Sequence, residues 1–242
     1  MPGIGTIINV AGILLGGLLG LCCGRFLKEN YQETLTRVNG VSVLFIGIAG
    51  ALEGMLRVEG TGLVSGRSML IVLCLALGGL VGELLRIERG FERFGAWLKA
   101  RTGNARDRLF VDGFVTASLT VCIGAMAIVG AIQDGLQGDY SVLATKAVLD
   151  LIIIAVMTCS LGKGCIFSAI PVAILQGGVT ALSLWIRPIM TPAALTNLSL
   201  IGSVLIFCVG INLVFDKRIR VANLLPALIL AVAAAFLPAG IV

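Results

Sequence analysis

Long apolar runs recur from end to end of the chain, each closed by a short polar or basic stretch. A run of about 20 apolar residues is what an α-helix needs to cross a hydrocarbon core about 30 Å thick. The pattern predicts eight such helices, at 4–24, 39–56, 68–85, 113–132, 141–161, 165–186, 195–215 and 221–241. If the stretch SLGKGC at 160–165 is a re-entrant turn buried in protein, the count falls to seven. The predicted fold class is therefore all-α: a polytopic transmembrane helical bundle forming a single integral membrane domain over 1–242. The first run has no basic residue ahead of it and reads as a retained helix, not a cleaved leader.

Charge orients the bundle. Of the 18 Lys and Arg residues, fourteen fall after the first, third, fifth and seventh runs: Arg25, Lys28, Arg37; Arg86, Arg89, Arg93, Lys99, Arg101, Arg106, Arg108; Lys163; Lys217, Arg218, Arg220. Only Arg57, Arg67, Lys146 and Arg187 belong to the other side. By the positive-inside rule both termini of an eight-span chain are extracytoplasmic. Within the longest loop, Ile87, Phe91, Phe94 and Leu98 share one helical face, with Trp97 at its edge. This predicts an amphipathic helix over 88–102 on the cytoplasmic lipid surface.

Composition narrows the chemistry. The chain is 58% hydrophobic and 13% charged, against about 45–50% and about 25% in soluble domains, and no polar stretch is long enough for a soluble domain. The net charge of +5 suits anionic lipid and needs no nucleic acid. There is no histidine, so the usual general base and the usual zinc ligand are missing. The seven cysteines sit in or beside apolar runs without a C-x-x-C pair and read as small buried hydrophobes. No metal or cofactor is expected. Without histidine a conventional serine triad is impossible, a Ser–Lys dyad remains open, and an enzyme is not the favoured reading. The stretch GTGLVSG (60–66) lacks a phosphate loop's G-K-[ST] ending, and the sequon at Asn197 is of a kind common by chance.

Parts of the chain repeat. ILLGGLLG (13–20) matches LALGGLVG (75–82), FIGIAGALEG (45–54) resembles CIGAMAIVGAIQDG (122–135), and AIPVAILQ (169–176) resembles LLPALILA (224–231), aligning Pro171 with Pro226. Repeats over 1–62 and 67–138, then 141–187 and 195–242, follow. Repeated units with proline-interrupted spans are common in transporters, with the site between repeats. Glycine supplies close packing: Gly12, Gly16, Gly20 and Gly24 fall four apart on one face, and Gly50, Gly54 and Gly78, Gly82 repeat the spacing. Such a face serves the monomer's interior or a homo-oligomer; its presence on several helices favours the interior.

Charges inside spans rank by depth, because an ionised group at the bilayer centre costs about 2.5–3.5 kcal/mol on insertion scales. Asp150 is nearest the midplane, with Lys146 one helical turn before it, although Lys before Asp is the weaker order for such a pair. Gln176 is also central. Glu53 and Asp134 approach the outer face, Glu83 the inner one; Asn9 lies in the first third of its span, and Asn212 and Asp216 near the inner end of theirs.

The stretches GTIINVAGILLGGLLG, KAVLD, GCIFSAIPVAILQG and KRIRVANLLPAL together resemble the bacterial membrane family known as domain of unknown function 554, over essentially the whole chain. The resemblance implies a multi-pass inner-membrane protein and brings no substrate with it. Lys163 departs from the apolar residue expected there. The matching stretches contain Lys146, Asp150, Gln176, Asn223 and Pro226. The favoured reading is a secondary transporter or channel-like carrier of a small polar solute or ion. Asp150 would bind a cation or proton, Lys146, Gln176 and Asn212 would add polar contacts, and helix kinks at Pro171 and Pro226 would free carbonyls. The alternative is a non-catalytic assembly or sensor protein that binds partners or lipid through its glycine faces and the amphipathic helix.

Overall fold

The computed structural model describes residues 2–236 except 25, 27, 61, 105, 106 and 216–218. Arg25, Arg106, Asp216, Lys217, Arg218 and the end of the eighth predicted run lie outside the described residues. Helices α1 (Ile4–Gly24), α2 (Glu29–Met55) and α3 (Ser68–Leu85) come first, with a two-stranded hairpin, β1 (Leu56–Glu59) and β2 (Gly62–Ser65), between α2 and α3. Then follow α4 (Ile87–Arg101), α5 (Phe110–Cys122), α6 (Ala125–Gln137), α7 (Ser141–Leu161), α8 (Ala169–Ala181), the single turn α9 (Ser183–Ile186), α10 (Pro192–Val214) and α11 (Pro226–Ala234). Short 3-10 turns, Lys163–Ser168 and Val221–Leu224, lead into α8 and α11.

Small residues face inward and large apolar ones outward, the arrangement of a bundle surrounded by lipid. On α1, Gly12, Gly16 and Gly20 are buried while Leu14, Leu15 and Leu18 are exposed. The glycines let α1 lie against the α7 backbone: a Cβ on Gly12 would sit 2.8 Å from the Ala147 carbonyl oxygen, and one on Gly16 would overlap the main chain at Leu151. Gly24 reaches Cys159. Gly47 and Gly54 of α2 meet Phe207 and Leu200 of α10, and Gly78 of α3 meets Ala227 of α11. Lipid tails are as apolar as the helices, so close backbone approach does what water exclusion does in a soluble core.

These contacts fix the helix directions. Gly5, Gly12, Gly20 and Gly24 meet Leu143, Ala147, Ala155 and Cys159 in ascending order, so α1 and α7 run parallel. Gly17 meets Ile166 and Asn9 meets Gln176, so α8 runs back. Gly40 meets Leu213 while Gly54 meets Leu200, so α10 opposes α2. Helices α1, α3, α7 and α10 therefore share one direction, and α2, α5–α6, α8 and α11 the other. All described Lys and Arg residues of the loops after α1, α3, α7 and α10 gather at one end, called here the basic end.

Among the described residues six helical segments are long and apolar enough to span a membrane, and the α5–α6 pair passes the same test as a seventh, bent one. The predicted 113–132 helix is thus two pieces, bent by 61°. The cause is Gly124, whose φ of +149° and ψ of 148° suit glycine almost alone. The second predicted span is longer than 39–56, beginning at Glu29. The sixth stops at Ala181 before α9. The eighth survives as α11, an apolar helix shorter than a full crossing. The stretch 160–165 is a tight reversal: α7 ends at Leu161, Gly162 takes φ +82°, and the chain turns back through the 3-10 turn into α8. Lys163 lies at that turn, at the basic end.

Pro171 and Pro226 occupy first turns, at the third residue of α8 and the first of α11. A missing N–H costs little there, so each proline starts a helix after a 3-10 turn instead of kinking one midway. The interruption that matters to the bundle's centre is Gly124. Helix α4 replaces the predicted 88–102 helix almost residue for residue. Its face is used against the bundle, with Gly95 on Phe114 and Leu98 buried, while Phe94 and Trp97 stack at 5.8 Å and Trp97 stays exposed. Outside the spans, the Asp139 carboxylate accepts the Ser141 N–H at 3.0 Å at the start of α7, and that hydrogen bond holds its carboxyl below the usual range.

Candidate functional site

Lys146 and Asp150 meet on α7 at 2.5 Å, with side chains only 9% and 5% exposed. The break in α5–α6 explains the unfavourable order of the pair. A helix end leaves carbonyls without partners and carries partial negative charge. The Lys146 ammonium donates to one of them, the Val121 carbonyl, at 2.9 Å. Lys146 therefore serves two acceptors at once, a carboxylate on its own helix and the frayed end of α5. Cys122 lies in the electrostatic range of both charges.

Two amides complete the set. Asn9 of α1 donates through Nδ2 to Gln176 Oε1 of α8 at 3.2 Å, and both side chains are buried. Asn9 also lies near the Asp150 carboxylate. Asn9 Oδ1 and Gln176 Nε2 have no protein partner. One unsatisfied buried polar atom costs about 1–3 kcal/mol, so an acceptor and a donor left open side by side mark a place for water or a polar ligand.

The open groups continue outward. Thr6 lies one turn from Asn9 on α1, and Thr180 one turn from Gln176 on the antiparallel α8, both on the side away from the basic end. Their hydroxyls are buried without partners. Both residues line a cleft of about 470 Å³ together with Gly3, Gly135, Gly177 and Ser183. Toward the basic end, Ser118, one turn before Cys122, adds another buried hydroxyl without a partner. Buried polar groups thus extend from an open cleft toward the ion pair, and an apolar cluster that includes Ile13, Ala117, Ile154 and Met157 follows it toward the basic end.

The other predicted residues lie elsewhere. Asp134 is fully buried and accepts from the Gly3 and Gly5 N–H groups at 3.1 and 3.0 Å, so its carboxylate holds the N-terminus of α1; its Oδ1 faces inward without a partner near the cleft. A carboxylate at a helix N-terminus is favoured by the exposed N–H groups and the dipole. Glu53 is exposed at the end of α2 beside the hairpin. Glu83 is at the basic end, bound by Arg220 at 2.6 Å and Asn223 at 2.5 Å. Asn223 also accepts the Glu88 N–H at 2.8 Å, and Glu88 accepts the Ala222 N–H at 3.1 Å, fastening the α3–α4 corner to the last 3-10 turn. Asn212 donates to the Ile219 carbonyl at 2.6 Å and accepts the Ile219 N–H at 2.8 Å, closing the loop after α10. The structure therefore brings Lys146, Asp150 and Gln176 together, adds Asn9, and places Asn212, Glu53 and Glu83 apart from them.

Sequence reasoning missed Thr6, Thr180 and the break. The glycine of CIGA, inside an otherwise uninterrupted apolar run, is the signal that could have located the break. Among the described residues no three His, Cys, Asp or Glu side chains converge as metal ligands.

An uncharacterised protein of Escherichia coli K12, YqgA, is 31% identical over 232 residues, covering 94% of each chain. An uncharacterised membrane protein of Bacillus subtilis 168, YdfK, is 26% identical over 226 residues, covering 93% of each. No solved structure matches. The sequence profile of the family described as Protein of unknown function (DUF554) matches residues 4–236, and the chain, a helical membrane protein by its spans and its relatives, belongs to that family.

Proposed function

We propose that the protein is a secondary transporter or channel-like carrier for a small polar solute or ion, with Asp150 as its acidic site and the basic end in the cytoplasm of a bacterial inner membrane. The observation that carries this reading is the buried Lys146–Asp150 pair beside a broken span, reached by a line of unpartnered polar groups from an open cleft. Broken helices recur at the binding sites of secondary transporters because they bring backbone dipoles to the membrane interior. Here the α5 end is neutralised by Lys146. A cation or proton arriving through Thr6 and Asn9 would compete with Lys146 for Asp150, while Lys146 keeps the Val121 carbonyl.

Every group of this site comes from one chain, so a homo-oligomer is not required for it. The alternative, an assembly or sensor protein using glycine faces, is less well supported, because Gly12, Gly16 and Gly20 are already occupied by α7.

The test is flux in proteoliposomes under an imposed potential, read with proton- and sodium-sensitive dyes. Asp150→Asn is expected to lower the conductance at least tenfold while eluting as folded protein. Glu53→Gln, at the exposed end of α2, is expected to leave it unchanged. Equal flux in Asp150→Asn and the parent, or no proton or sodium flux in the parent, would contradict the proposal.

A further inference from the structure

We infer that the protein holds one membrane phospholipid, its phosphate at Arg86 and its acyl chains in an apolar groove between α8 and α11. The groove has a volume of about 1040 Å³. It starts at the α3–α4 corner, passes the α5–α6 break and ends near the α9–α10 connection, so it lies along the hydrocarbon layer. Its lining is almost wholly apolar, and among the described residues Arg86 is the only charged one in it. From the same corner a second cleft of about 270 Å³ opens, lined by Arg86 and Arg89 with Glu83, Glu88, Glu92, Arg220 and Asn223. A large apolar compartment and a small charged one, joined at a single arginine, match a molecule with tails and a head.

The side chains left open decide which part of the head lies here. The carboxylates of the small cleft are already engaged: Glu83 by Arg220 and Asn223, Glu88 by the Ala222 N–H, and Glu92 has a partner as well. Among the described residues, the side chains of Arg86 and Arg89 have no ion pair or hydrogen bond. The cleft's three arginines balance its three glutamates, Arg86 and Arg89 are the side chains left open in it, and a guanidinium matches a phosphate with paired donors. Arg86 is held at the corner by a left-handed backbone, φ +54°, in which it both ends α3 and begins α4. Such a conformation is costly for a residue with a side chain, and it sets Arg86 at the corner where the two compartments meet. Phe94, in the groove wall, stacks on Trp97, a residue type that favours a membrane interface.

The groove has a consequence for the buried site. Cys122 lines the groove and lies near Lys146 and Asp150 on its other side. The break is thus the partition between lipid tails and the polar line. The inference rests on the groove and the arginine alone and stands apart from the transport reading.

The test is native mass spectrometry of the detergent-purified full chain titrated with phosphatidylglycerol. One bound phospholipid is expected on the parent. Arg86→Gln is expected to weaken binding about tenfold or more, the loss of a charge-assisted contact. Ile229→Trp fills the groove at an outward-facing position, 73% exposed, and is expected to lower retention without unfolding the protein. Arg187→Gln, at the opposite end, is expected to bind as the parent does. Unchanged binding in Arg86→Gln, displacement by inorganic phosphate alone, or a lipid-free dimer that hides the groove would each overturn the inference.

Discussion

Lys146→Met alone is expected to destabilise the protein by about 3–5 kcal/mol, the loss seen when one member of a buried ion pair is removed. The substitution strips Asp150 of its 2.5 Å partner and leaves the Val121 carbonyl at the α5 end without a donor. Asp150→Leu is expected to cost a similar amount, because the ammonium keeps only the carbonyl. The double variant Lys146→Met/Asp150→Leu removes both charges and replaces them with side chains suited to the interior. It is expected to be more stable than either single variant, with a coupling of about 2 kcal/mol or more. Thermal or detergent-induced unfolding of the purified protein measures all four corners of the cycle. Additive losses would mean that the two groups do not interact. A double variant that regains stability but carries no current would separate the pair's structural role from its functional one.

Gly16→Leu is expected to cost about 3 kcal/mol or more, at the upper end of what overpacking does. The obstacle is the Leu151 main chain, so no rotamer change relieves it. Helices α1 and α7 would have to part, and Gly12 and Gly20 would lose the same contact. Because α1 carries Asn9 and α7 carries Asp150, the polar site would open with them. A Gly66→Ala variant, in open space, is expected to keep the parent's melting temperature. Extraction yield and thermal unfolding compare the two. An unchanged Gly16→Leu would mean that α1 and α7 are not in backbone contact.

Much of this architecture was legible in the residue pattern, for physical reasons that also explain the gaps. Hydropathy reports how much chain can live in lipid, so the long helices were found, and the regular glycine spacing pointed to an interior face. Depth in a span singled out Asp150 and Gln176, because a polar group there must meet another. What hydropathy cannot see is the backbone angle of one residue. Gly124 is apolar enough to pass as helix, yet its positive φ divides a span and gives Lys146 its second acceptor. Asn212 looked like a lining residue because its partner is the main chain of a loop seven residues on, which composition does not show. Thr6 and Thr180 are too weakly polar to stand out, and only the antiparallel packing of α1 and α8 sets them beside Asn9 and Gln176.

The most direct test of the account is whether water reaches Asp150 along the α1–α8 line. In a background with all seven native cysteines replaced, single variants Thr6→Cys, Asn9→Cys and Thr180→Cys would be exposed to a small, charged, membrane-impermeant thiol reagent from the side opposite the basic end. Ile152→Cys, on the outward face of α7 and 54% exposed, would serve as the lipid-facing control. The account predicts rapid labelling at Thr6→Cys and Thr180→Cys, slower labelling at Asn9→Cys, and none at Ile152→Cys. Thr6→Cys, Thr180→Cys and Asn9→Cys as inert as Ile152→Cys would contradict it.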